Sequence, residues 1–166
     1  EISVVIAERQ TKGKGRNGKS FFSPSDCGLY ISLLLRPRFN AREALFLTAA
    51  ASVAGARAVD DARRFFDDNA PRLEPETQIK WVNDLFLNGK KICGILTEGC
   101  VDMESNGLSY AVVGAGFNVF PPPHGFPEQL KSIAGAIYPS KPDKAVKSLL
   151  AARFVRYMTE FYLSLP

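Results

Sequence analysis

The chain opens on Ile2-Ser3-Val4-Val5-Ile6-Ala7-Glu8, an apolar, β-branched run whose loose alternation predicts a strand. Breakers then take over: Gly13, Gly15, Gly18, Pro24 and Gly28 fall among polar neighbours and predict a loop over 9–28. Leu29 to Arg36 is a second apolar, β-rich run, closed by Pro37. From Ala41 to about Ala62 no proline interrupts a helix-favouring stretch. Because 44–59 is apolar on most sides, that helix should be largely buried.

Residues 67–76 are polar and broken by Pro71 and Pro75, which predicts a connecting loop. The run Ile79–Leu87 follows, then Asn88-Gly89, then Lys90–Glu98. Asn-Gly between apolar runs predicts a tight hairpin, since both central residues of a type I′ turn need positive φ. Asp102–Gly107 should turn the chain into a further strand, Leu108–Gly116, and the proline-rich residues 121–127 into a loop. Asp143 is the expected N-cap of a last helix reaching Tyr162, with Val146, Leu149, Leu150, Phe154 and Phe161 on its apolar side. Strands outnumber helices and are joined by short turns. The expected fold is α+β, a mostly antiparallel mixed sheet with helices packed on it, in a single domain over 1–166.

Composition narrows the chemistry. Hydrophobic residues make up 46% and charged residues 23%, ordinary for a soluble globular domain, and no apolar run is long enough to predict a membrane span. The opening residues lack the basic flank and cleavage site of a signal peptide. A strand beginning at Glu1 leads us to expect further residues upstream. Cys27, Cys93 and Cys100 are an odd number without C-x-x-C spacing, which speaks against a disulfide framework or zinc knuckle and for the cytoplasm. The single histidine, His124, sits in the proline-rich loop, so a histidine-based metal site or triad has no basis. The net charge of +4 is uneven, with Arg9, Lys12, Lys14, Arg16 and Lys19 clustered in the glycine-rich loop.

Gly13-Lys14-Gly15-Arg16-Asn17-Gly18-Lys19-Ser20 satisfies both G-x-x-x-x-G-K-[ST] and G-x-G-x-x-G. Either pattern binds phosphate only where the loop opens a helix. Here Phe21-Phe22-Ser23-Pro24 follows, and Pro24 forbids the helix, so both readings are declined.

Four segments in order carry a different signal. Glu8–Lys19 resembles the E-x-Q-x-x-G-R-G-R-x-G-R loop of biotin–protein ligases, and Lys80-Trp81-Val82-Asn83-Asp84 resembles their K-W-P-N-D. Lys91–Glu98 resembles K-[LI]-x-G-I-L-x-E, and Val113–Val119 resembles V-G-x-G-x-N-V. The resemblance implies a catalytic domain related in fold to class II aminoacyl-tRNA synthetases and lipoate ligases. It implies ATP, biotin and Mg2+ as ligands, with biotinyl-5′-AMP formed first. Biotin then passes to a lysine of a biotin carboxyl carrier domain of acetyl-CoA carboxylase or a related carboxylase.

By the same resemblance, Lys91 and Arg16 are catalytic. Lys91 would bridge the biotin carboxyl and the α-phosphate, and Arg16 lies in the loop that covers the adenylate. Gln10, Gly13, Lys14, Gly15, Lys91 and Gly94 would bind biotin, with Gln10 on the ureido ring. Arg16, Phe21, Asn83, Asp84, Gly116 and Asn118 would bind the nucleotide, with Asp84 a metal or ribose contact. Cations and amides suit a carboxylate attacking a phosphate, and Gly94 and Gly116 would let ligand approach strand backbone.

Plainer roles stand beside these. Lys90 and Lys91 could be edge charges, with Lys90 read that way; Trp81 is expected as a core anchor, while Asn83 and Asp84 could be turn formers, Phe21 and Phe22 loop anchors, and Gly114 and Gly116 a bulge. Lys14 and Lys19 stand where arginine is usual and lose the forked contact to phosphate. Val82 replaces proline. The family's Ser/Thr-Asn segment, its helix-turn-helix and its small C-terminal β domain have no counterpart in these 166 residues. Rival readings are a lipoate–protein ligase, a basic nucleic-acid-binding module, which the lack of aromatics among the loop cations disfavours, and a non-catalytic binding domain. The family allows a homodimer, and nothing points to a membrane.

Overall fold

The computed structural model describes residues 2–37, 44–66, 76–102, 107–141 and 145–165. Six strands, β1 (Ser3–Ala7), β2 (Gly28–Leu35), β3 (Gln78–Lys80), β4 (Asp84–Leu87), β5 (Lys90–Val101) and β6 (Leu108–Asn118), form one sheet in the order β1-β2-β6-β5-β4-β3. Every strand pair is antiparallel. The one parallel contact among the described residues is an isolated bridge between Lys91 and Ala134. The α+β expectation holds.

Two long helices, α1 (Ala44–Phe66) and α3 (Val146–Ser164), pack against each other and against the sheet. Period-two alternation sends Ile31, Leu33 and Leu35 of β2, with Val113, Ala115 and Phe117 of β6, into the buried layer. Phe117 meets Phe154 of α3 edge-on at 5.4 Å, and Gly55 lets α1 approach so closely that a Cβ there would sit 2.8 Å from Leu85. The predicted apolar side of α3 is as expected, with Val146, Leu150 and Phe154 fully buried and Leu149 and Phe161 packed around them. The proposed N-cap Asp143, the helix start at 41–43 and the connecting loop at 67–75 lie outside the described residues.

The Asn88-Gly89 turn forms as read, with φ of 52° and 70°. The run Ile79–Leu87 does not continue as one strand, because the chain turns at 81–83 between β3 and β4. That turn corrects the expectation for Trp81. Val82 points inward and its carbonyl accepts from buried Ser52 Oγ at 2.5 Å, whereas Trp81 is 75% exposed and is no core anchor. A tight turn buries one of two neighbours, and here the smaller residue took the inside. The Trp81–Val82 peptide bond is cis. No bulge occurs at Gly114 or Gly116, since the β6 register is continuous there; the shift lies at Cys100/Val101. All three cysteines are free.

Candidate active site

One row of register partners crosses four strands: Tyr30 (β2), Gly116 (β6), Gly94 (β5) and Asp84 (β4). Register partners point to the same face, here the face away from the helices. Two adjacent glycines therefore leave a trough without Cβ atoms between a tyrosine and a carboxylate. The ring of Phe21 fills it. A Cβ on Gly116 would lie 2.8 Å from the ring and one on Gly94 2.9 Å from it, while the Phe21 and Tyr30 rings stand edge to face with centroids 6.4 Å apart. At both glycines the close neighbour is a side chain of the protein itself.

Phe21 is delivered by the basic loop, which is folded back on itself. Phe21 N donates to Gly13 O at 2.8 Å, Gly15 N donates to Lys19 O at 2.7 Å, and Lys14 bridges Ser20. A short 3-10 turn at Arg16–Gly18 tips the loop, with Asn17 and Gly18 at positive φ. No helix follows, and the chain runs on into β2, as the rejection of the phosphate-loop patterns requires. Gln10 Nε2 donates to Ser23 Oγ at 3.1 Å, and Ser23 Oγ donates to Phe21 O at 2.9 Å. Gly13 is packed inside the loop, where a Cβ would meet Phe21 O at 2.5 Å.

Side chains from four segments converge beside the ring. Arg16 Nη1 donates to Asn83 Oδ1 at 2.9 Å. Asn83 Nδ2 donates to Asp84 Oδ1 at 3.0 Å and to Ile95 O at 3.2 Å, which holds the 81–83 turn onto β5. Lys91 Nζ reaches the same Asp84 oxygen at 2.7 Å. Asn118 Nδ2 donates to Lys91 O at 3.4 Å. Asn83 and Asp84 thus do more than form a turn: they join the loop arginine to the strand lysine. Lys14 Nζ lies 3.5 Å from Glu98 and ties the other side of the loop to β5.

Two cavities flank Phe21 and share Gly15, Arg16, Phe21, Asn83 and Lys91 as a common wall. The first, about 290 Å³, is also lined by Gln10, Lys14, Gly94 and Gly116. The second, about 470 Å³, is also lined by Asp84, Asn118, Phe22, Phe126, Leu130 and Ile133. Of the expected site residues, only Gly13 lines neither; Gly116, expected with the nucleotide set, lines the first. Sequence reasoning passed over Tyr30, Ser32, Leu96 and Val112 of the first cavity. Their signal was the alternation of β2, β5 and β6, which marks one face but not that a cavity forms on it. Burial pushes the Tyr30 hydroxyl up to about 12, so it remains a neutral donor at neutral pH. The 126–134 wall was also missed, for lack of any local pattern beyond a loop. Lys90 is no bare edge charge, because its ammonium donates to Lys131 O at 3.1 Å and Ser132 O at 2.8 Å.

No cluster of three or more metal-ligating side chains occurs among the described residues. The second cavity is lined by the Asp84 carboxylate, whose two contacts both fall on Oδ1, and the first by that of Glu98, which pairs with Lys14. That suits a magnesium ion held chiefly by phosphates with one protein carboxylate, and does not suit an all-protein metal cage.

Residues 2–118 match the Biotin/lipoate A/B protein ligase family, and the chain belongs to it. The bifunctional ligase/repressor BirA of Bacillus subtilis is 35% identical over 137 residues, 82% of this chain and 38% of that protein. The human biotin–protein ligase is 36% identical over 120 residues, 70% of this chain and 15% of that protein. The chain thus spans well under half the length of these curated relatives. The structure of the Aquifex aeolicus biotin protein ligase in complex with biotin and ATP superposes with a TM-score of 0.65 at 27% identity, covering 97% of this chain and 62% of that one.

Proposed function

We propose that this chain is the catalytic core of a biotin–protein ligase that joins biotin to ATP and passes the biotinyl group to a protein lysine. The observation that carries this reading is the common wall. Two cavities meet at Arg16 and Lys91, so a carboxylate in one and a triphosphate in the other would bring their reacting ends together between two cations. The solved Aquifex aeolicus relative, whose structure is described as a complex with biotin and ATP, supports the assignment of both ligands.

Biotin would occupy the first cavity, with its ureido ring toward Gln10 and its carboxylate toward Lys91. ATP would occupy the second, its base against the apolar end of Phe22, Phe126 and Ile133 and its phosphates toward Arg16, Asn83 and Lys91. A carboxylate oxygen attacks the α-phosphorus, the bond to the β-phosphate oxygen breaks, and pyrophosphate leaves. Arg16 and Lys91 offset the charge that builds on the phosphoryl oxygens. In the second step an acceptor lysine amine attacks the acyl carbon, loses a proton, and AMP departs. Asp84 would share Mg2+ with the triphosphate, and the metal would neutralise phosphate charge. A biotin carboxyl carrier domain is the acceptor this reading names. A Paracoccus denitrificans biotin–[acetyl-CoA-carboxylase] ligase, 35% identical over 115 residues, favours it. The cytoplasm is the matching compartment, and no helix among the described residues is long and apolar enough to cross a membrane.

The test is pyrophosphate release and mass-spectrometric detection of biotinyl-5′-AMP from biotin, ATP and Mg2+. Release with lipoate and none with biotin would overturn the reading. So would ATP-independent binding of nucleic acid that weakens steeply with salt as the chain's only activity.

A further inference from the structure

The segment that walls the second cavity is anchored on the sheet beside Lys91. A short helix, α2 (Glu128–Lys131), and the turn after it bring Leu130, Ile133 and Ala134 to the cavity. Lys91 N donates to Ile133 O at 2.8 Å, and Gly135 N donates to Lys91 O at 2.9 Å, so the segment lies against the backbone of the site lysine itself. The neighbouring side chain completes the joint. Lys90 Nζ donates to the carbonyls of Lys131 and Ser132, at the C-terminal end of α2. The stem of Lys90 passes so near Gly135 that a Cβ there would be 2.5 Å from Lys90 Cβ. Farther along, Ile137 N donates to Asn118 O and Tyr138 N to Val119 O, at 2.9 and 3.0 Å, and the segment is then continuous with the core.

We infer that Lys90 is a positioning residue for the second cavity, clamping residues 130–135 so that the wall facing the nucleotide keeps its place beside Lys91. The inference rests on the reading that this cavity takes ATP. Lys90 is in the lining of neither cavity. Its side chain acts on the second one through the 130–135 backbone that it holds. Removing two charge-assisted bonds at a partly exposed site should loosen the wall by about fivefold to tenfold in the population held in place.

The experiment compares Lys90→Ala and Lys90→Arg with the unaltered chain in steady-state pyrophosphate release, varying ATP and biotin separately. It adds hydrogen exchange of the Lys91 and Gly135 amides. The expected result for Lys90→Ala is a KM for ATP raised about fivefold, an unchanged KM for biotin, and faster exchange at both amides. Lys90→Arg, which can still donate to two carbonyls, should restore most of each. Equal rises in both KM values, unchanged KM for ATP, or exchange rates that do not move would each overturn the clamp. If the unaltered chain releases no pyrophosphate, the function reading fails. Amide exchange then decides the clamp by itself, faster exchange in Lys90→Ala supporting it and unchanged exchange refuting it.

Discussion

Gly116→Ala probes the placement of Phe21 most directly. A methyl at 116 would lie 2.8 Å from Phe21 Cε1 and 3.0 Å from Cζ, where ordinary contact begins at 3.4 Å. The ring would have to withdraw by about 0.6 Å, against Tyr30 on one side and the Gly13–Phe21 hydrogen bond on the other. Overpacking costs about 1–3 kcal/mol, and because the ring is the far end of a side chain the low end applies. About 1 kcal/mol corresponds to roughly a fivefold change in the unfolding equilibrium constant. The assay is denaturant unfolding of Gly116→Ala, Phe21→Ala and the double variant. If the trough exists to seat the ring, removing the ring relieves the clash, and the double variant should be better than additivity predicts by about 1 kcal/mol. Additivity to within about 0.5 kcal/mol would refute the reasoning.

Lys91→Met should lower adenylate formation about 10²- to 10³-fold while leaving the melting midpoint nearly unchanged, since Asp84 keeps its bond from Asn83. Retained activity would remove Lys91 from the chemistry. Trp81→Ala should change the unfolding free energy by no more than about 0.5 kcal/mol, because the indole is 75% exposed. A loss of about 3 kcal/mol or more in a denaturant titration would put the indole in the core after all. Burial raises the hydroxyls of Tyr30 and Tyr138 from 10 to about 12. Between those values the unfolded chain has released the protons that the native chain still holds. The denaturation midpoint should therefore be steady below about pH 10 and fall as pH climbs toward 12. A flat profile across that window would refute the shifts.

Much of this protein is written locally in its chain. The glycines and proline of 9–28 forbid a helix after the basic loop, Asn88-Gly89 forces a hairpin, and the apolar spacing of α3 selects its buried side. Each follows from backbone sterics or from a period that a few adjacent residues set. The four motifs likewise name the residues that gather at the site. Tertiary structure alone decided how they meet. That Gly94 and Gly116 are neighbours across a ladder, and that Phe21 drops between them, depends on register between β5 and β6 and on a loop closing over both. Trp81 lost the inside of its turn to Val82 because Ser52 of α1 stands there to bond the Val82 carbonyl. Lys90 is a surface lysine by every local criterion and becomes an anchor only because residues 131 and 132, some forty positions later, return their carbonyls to it. Local sterics act over a few residues and can be read in order. Contacts between distant segments depend on the closed packing of the whole domain, and no window of the chain contains them.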